Sequence, residues 1–413
     1  VPRAAARVAT MALVLTSFGA AGQAAITRPF AVSSTRELAP GITYQLGEMH
    51  TGGGRKQSVR VGTIDPRHPR VRLRALLSND KVVKRERVSR IARRKSRPGM
   101  EAMLATNGDM SRAKAVDAWA APAGTHIANG EVWVAQACAW PTLGIDRAGN
   151  ARIDEVRVQL EVKVPGRPVP RGIHRVNTHR DGAGVVLFTR RFAASTQTKP
   201  GGIEVVLEMS DRLRPSGVQT LRVLRVRRGG GNTRIRWGQA VLSVKSPTNK
   251  WVRDLRKGQR LQLETKIVRR GSHRCDRSTP TASGWGDVVE ALGGNYFTAR
   301  HGRVAAPSRA RYPSGSQRHP RTGIGITPDG RVLMVTVDGR RPGYSVGVTL
   351  AEMGQLMLSL GAQHSFNGDG GGSTVMARQW PALDRFRVTN RPSDGSERPA
   401  TNALAAFEYT PET

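Results

Sequence analysis

Asp338 and Asp369 are the acidic residues best placed to do chemistry. The first ends the apolar run Val332-Leu333-Met334-Val335-Thr336-Val337, and the second opens Asp369-Gly370-Gly371-Gly372-Ser373. A carboxylate that ends a buried strand projects from the rim of a sheet, and two at one rim can divide nucleophilic and proton-transfer work. Three successive glycines are costly in backbone entropy, which a chain tolerates where it needs positive φ or passes close to a ligand. Successive amides in such a turn can form a nest for phosphate, although an ordinary glycine-rich hairpin loop has the same composition. Gly229-Gly230-Gly231 is another triple, and it reads as a plain loop. Arg321, in Arg321-Thr322-Gly323-Ile324-Gly325-Ile326, opens a strand expected to pair beside the Asp338 strand. Its fork could hold phosphate oxygens with two parallel bonds, against the competing reading of one more surface arginine. Asn107 and Asp109 follow another buried run, Ala102 to Thr106, where they add polar contacts or simply make a turn.

These residues need strands that share an edge. Thr349-Leu350-Ala351-Glu352 fits a capping box, Leu350, Met353, Leu356, Met357 and Leu360 follow at helical spacing, and Gly361 supplies a stop. A strand, a capped helix and a second strand together read as a crossover unit, which sets Asp338 and Asp369 at one sheet edge. The strand axes would lie about 4.8 Å apart as neighbours, or about 10 Å with one strand between. The expected fold class is α/β in the mixed α+β sense: a C-terminal mixed sheet with a crossover helix, plus β-rich N-terminal and central segments. The expected organisation is a signal peptide over 1–25, a strand-rich part over 26–145, a β-rich central insertion over 146–283, and a C-terminal α/β part over 284–413.

The chain has 413 residues, 38% hydrophobic and 23% charged, enough to bury a sizeable core and unlike a disordered composition. Its formal net charge of +35 comes mostly from arginine, which reads either as a solvated basic face or as a basic surface that takes anionic polymers as partners. A specific nucleic-acid partner is not expected, because no helix-turn-helix, zinc-finger or ribonucleoprotein signature occurs. Arg3 and Arg7 before the apolar stretch Val8 to Ala21, then Gly22-Gln23-Ala24-Ala25, read as a secretory signal. The expected location is secreted, extracellular or cell-wall associated, with no membrane span in the mature protein. Cys138 and Cys275 allow either one long-loop disulfide or two buried thiols, and no zinc-ligand spacing accompanies them.

Several pieces carry a family resemblance in order: Asn107-Gly108-Asp109, Arg321-Thr322-Gly323-Ile324-Gly325-Ile326, Val337-Asp338-Gly339-Arg340, Gly347-Val348-Thr349-Leu350-Ala351-Glu352-Met353, and Asn367-Gly368-Asp369-Gly370-Gly371-Gly372-Ser373-Thr374. Asn390-Arg391-Pro392-Ser393-Asp394-Gly395, Glu397-Arg398-Pro399 and Asn402-Ala403 close the set. Together they resemble the signature of the phosphodiester glycosidase family. The resemblance implies a hydrolase that cleaves the glycosidic bond of a sugar 1-phosphodiester, with a phosphoglycan or sugar-phosphate diester as substrate. It implies Asp338 and Asp369 as catalytic carboxylates, and Asn107, Asp109, Arg321, Asn367, Gly370, Gly371, Gly372 and Ser373 as substrate or phosphate ligands. No cofactor is required on this reading, and calcium is a possible ion. The family often has an aromatic pair where Met110-Ser111 stands and an aliphatic residue where Gly368 stands, which would reshape the sugar pocket and the loop carrying Asp369. Cleavage at phosphorus and non-catalytic binding of anionic cell-wall polymers are the competing functions.

Overall fold

The computed structural model describes residues 26–112, 121–180, 182, 184–209, 212–245, 249–271, 275, 282, 284–380 and 385–411. The expected signal peptide over 1–25 lies outside them.

Strand makes up 51% of the structure and helix 9%, so the protein is mostly β and the expected mixed α/β class is corrected. One eight-stranded sheet runs, in order, Ile26–Ala39, Ile42–Thr51, Arg55–Ile64, Val332–Val337, Arg321–Ile326, His364–Asn367, Phe297–Arg300 and Arg303–Val304. A five-stranded sheet runs Arg385–Val388, Met376–Trp380, Met100–Asn107, Asn402–Tyr409 and Val71–Leu77. Every pairing described in these two sheets is antiparallel.

The misreading has a physical origin. Val332–Val337 is buried on both faces, the pattern of a parallel strand with helices above and below. Here one face meets the five-stranded sheet, through Met334, Ile324 and Phe366 against Leu104, Met376 and Leu404. The other meets a single helix, Leu350–Ser359, through Val335 and Val337 against Met353, Leu356 and Met357. One helix on one face of an antiparallel sheet buries the same residues.

That helix keeps its expected start: Glu352 N–H donates to Thr349 Oγ1 at 3.1 Å, and Thr349 N–H donates to Glu352 Oε2 at 2.8 Å. It lies close because Cβ atoms at Gly323 and Gly325 would overlap the Met353 and Met357 methyls. Val332–Val337 and His364–Asn367 each pair with Arg321–Ile326 between them, so both run the same way and end at the same edge.

Strands between 151 and 269 join Trp140–Asp146, Val288–Gly293, His126–Ala128 and Glu131–Val134 in one further sheet. Cys138 and Cys275 form a disulfide across a separation of 137 residues. Among the described residues no helix is long and apolar enough to cross a membrane.

Candidate active site

The edge where these strands end opens into a cavity of about 380 Å³. Arg321, Asn367, Asp369, Gly370, Gly371 and Gly372 line it, together with Met110, Tyr312, Ser314, His319, Arg340 and Arg398. Among the described residues of that lining Asp369 is the one acid, beside three arginines and a histidine.

Asp369 is held by its main chain. Its N–H donates to Gly108 O at 2.8 Å, and Asn107 Nδ2 donates to its carbonyl oxygen at 2.8 Å. Asn107 is fully buried, and its Oδ1 accepts from Thr322 Oγ1 at 2.8 Å and Val375 N–H at 3.0 Å. One amide thus ties three segments beneath the loop. A Cβ at Gly368 would stand 2.7 Å from Gly108 O, so glycine there permits the clamp. Desolvation raises the Asp369 carboxyl above the usual range, while the Ser373 hydroxyl, the Gly370 amide and the charges of Arg398 and Arg85 pull it back.

The glycine turn is less free than its composition implies. Gly370 N–H donates to Asp369 Oδ1 at 3.0 Å and Gly371 N–H to Pro320 O at 2.9 Å, whereas the Gly372 N–H meets no acceptor among the described residues. Side chains at Gly371 and Gly372 would run into Arg340 and into the Arg398–Asp394 ion pair. The loop is packed against guanidinium groups at atomic contact.

Arg321 begins its strand opposite Val337 and is 4% exposed. Its Nε donates to Val348 O at 3.1 Å, and its Nη2 donates to Ser314 O at 2.8 Å and Gln317 O at 3.1 Å. Burial pushes it down to about 10, with Tyr312 opposing and Arg340 assisting, so it stays charged at neutral pH. No carboxylate pairs with it among the described residues. A buried guanidinium that faces a cavity without a counter-charge is built to receive an anion.

Asp338 does not line the cavity. It is 1% exposed and accepts from Arg60 Nη1 at 2.6 Å, Tyr344 Oη at 3.0 Å, Asn390 Nδ2 at 3.0 Å and Arg391 N–H at 3.1 Å. Asn390 Nδ2 also donates to Thr374 O at 3.0 Å, which links this buried carboxylate to the end of the glycine turn. Asn367 lines the cavity, with Nδ2 donating to Gly368 O at 2.5 Å and Oδ1 buried without a partner among the described residues. Asp109 is buried outside the lining, accepts from Gly124 N–H, and its own N–H donates to Asn402 Oδ1 at 2.9 Å. Ser373 is buried and bonds the Asp369 carboxyl.

Tyr312, Ser314 and His319 come from a connection without periodicity or motif, so nothing in the sequence marked them. Arg340 and Arg398 stood inside recognised segments without an assigned task. Among the described residues no group of three or more His, Cys, Asp or Glu is placed to hold a metal ion.

A fold built from antiparallel sheets, with a cationic cavity around one carboxylate at a glycine turn, is the setting in which the family assignment falls. Residues 221–407 match the phosphodiester glycosidase family model, so the resemblance seen in the motifs holds over that segment. An 87-residue stretch is 39% identical to the SPbeta prophage-derived uncharacterized protein YomE of Bacillus subtilis, covering 21% of this chain and 12% of that protein. A hypothetical protein from Synechocystis shares the fold at TM-score 0.71 and 17% identity, over 92% of this chain and 64% of its own. A candidate exported protein from Burkholderia pseudomallei does so at TM-score 0.71 and 16% identity, over 92% and 97%. This chain therefore spans less than two thirds of YomE and of the Synechocystis protein.

Proposed function

We propose that this chain is a secreted hydrolase that cleaves the glycosidic bond of a sugar 1-phosphodiester, acting on cell-wall or extracellular phosphoglycans. The observation that carries this reading is Arg321, buried and without a carboxylate partner among the described residues, sharing one cavity with Asp369. The family match over 221–407 supports it.

A departing phosphate ester is weakly basic, so the site needs fixed cations more than a strong proton donor. Arg321, Arg340 and Arg398 meet the phosphate, and the Gly372 N–H, which meets no acceptor among the described residues, adds a donor. Asp369 serves at the anomeric carbon: it takes a proton from water as the water oxygen bonds to that carbon, and the carbon–oxygen bond to phosphate breaks. A carboxyl raised by burial is a better base for that step. Asp338 acts as a positioning residue, since its oxygens are already occupied by four donors. Asn107 and Asn390 hold the loop from either side, and calcium is not needed for any of these steps. Fit to export comes from the exported neighbour and the absence of a spanning helix among the described residues.

The test is turnover of a set of sugar 1-phosphate alkyl esters by the purified protein and by Asp369→Asn. Release of free sugar by the native protein and at least about a thousandfold less by the variant is expected. Equal release by both would remove Asp369 from the chemistry.

A further inference from the structure

Three aromatic rings are linked pairwise beginning at the cavity wall. Tyr312 lines the cavity, Tyr296 stands against it with ring centres 4.8 Å apart, and Trp140 meets Tyr296 edge-on at 6.5 Å. All three are partly exposed, in a chain that is only 5% aromatic, and none sits in a described core cluster.

Main-chain bonds fix the row to the site. Asn295 N–H donates to Asn367 O at 2.9 Å, and Asn367 N–H donates to Tyr296 O at 2.9 Å, so Tyr296 is paired with a residue of the cavity wall. Gly294 N–H donates to Pro141 O at 2.8 Å, which joins the Tyr296 segment to the strand that Trp140 begins. The disulfide at Cys138 lies two residues before Trp140. Asn295 Nδ2 reaches Met110 Sδ at 3.0 Å and closes the gap between row and cavity. Trp140 thus begins a strand, Tyr296 sits in the short bend between the strands Val288–Gly293 and Phe297–Arg300, and Tyr312 stands on the connection just before Pro313–Ser316.

Phosphate has no use for such a surface, because the cavity already meets it with guanidinium groups. A sugar ring does: its C–H face packs on an aromatic ring while its hydroxyls stay in water, the same division that Tyr and Trp themselves show. We propose that Tyr312, Tyr296 and Trp140 form a saccharide subsite that holds further sugar units of a chain whose scissile phosphodiester lies in the cavity. The substrate class is then a phosphorylated oligo- or polysaccharide rather than an isolated sugar diester. This deepens the hydrolase reading and rests on it for the position of the scissile bond.

Calorimetric titration of the whole protein with glucose, N-acetylglucosamine, mannose and galactose, and with their linear tetrasaccharides, reads the row without turnover. At least one tetrasaccharide is expected to bind about tenfold more tightly than its monosaccharide. Tyr296→Ala is expected to erase that length preference, and Tyr296→Phe, which keeps the ring, to retain it. Should Tyr296→Ala fold poorly, Tyr296→Leu gives the same comparison with an aliphatic side chain. No length preference for any sugar, or one that survives loss of the ring, overturns the subsite. Length-dependent binding without cleavage of any sugar 1-phosphodiester defeats the hydrolase and leaves the subsite standing. Cleavage without length dependence does the reverse.

Discussion

Asn107 donates its side-chain amide to the carbonyl oxygen of Asp369 at 2.8 Å, joining residues 262 positions apart in the chain. The bond fixes the loop from which the Asp369 carboxyl projects. Asn107→Ala would strand the Val375 N–H and Thr322 Oγ1 that now donate to Asn107 Oδ1, at a cost of about 2–3 kcal/mol. Denaturant titration is expected to show that loss, with kcat falling while the variant remains folded.

Asp338 and Asp369 should respond oppositely to amidation. Asp338→Asn leaves the buried Arg60 without its carboxylate and is expected to lose about 3 kcal/mol. Asp369 has a raised folded-state pKa, so the ionised form costs stability above that pKa and the cost vanishes as pH falls through it. Asp369→Asn is therefore expected to melt at or above the native temperature at neutral pH while losing turnover. By the same sign, the acid limb of the native pH–rate profile should lie above the ordinary carboxylate range.

Arg321→Lys keeps a positive charge and removes the fork. Its three bonds to main-chain carbonyls cannot all be remade, so the phosphate-facing geometry is lost with them. A fall in kcat/KM of about a hundredfold is expected. An unchanged value would place the phosphate elsewhere.

His126 is fully buried, and desolvation pushes it from the ordinary 6.5 to about 3. The unfolded chain binds the proton first, so stability is lost as pH falls below the unfolded value. Between about pH 7 and about pH 5 the native protein should lose about 2 kcal/mol more than His126→Gln, measured by denaturant unfolding.

How much of this was visible in the sequence follows from what each residue is bound to. Asp369, Asn367, Arg321 and the glycine turn were legible because strand ends, turn chemistry and family order coincide there. The bonding of Asp338 was not, since Arg60 and Asn390 lie 278 and 52 residues from it in the chain and reach it only in the folded protein. Tyr312 and His319 arrive on a connection with no periodicity, and Trp140 and Tyr296 become neighbours only through bonds between separate strands. The fold class was misread at Val332–Val337, because burial on both faces does not say whether a second sheet or a second helix covers one of them.

Hydrolysis of a sugar 1-phosphodiester in isotopically labelled water, with mass analysis of both products, tests the site of bond breaking most directly. Label in the anomeric hydroxyl of the released sugar is the expected result. Label in the phosphate ester would mean attack at phosphorus and would contradict the assignment of Asp369 to the anomeric carbon.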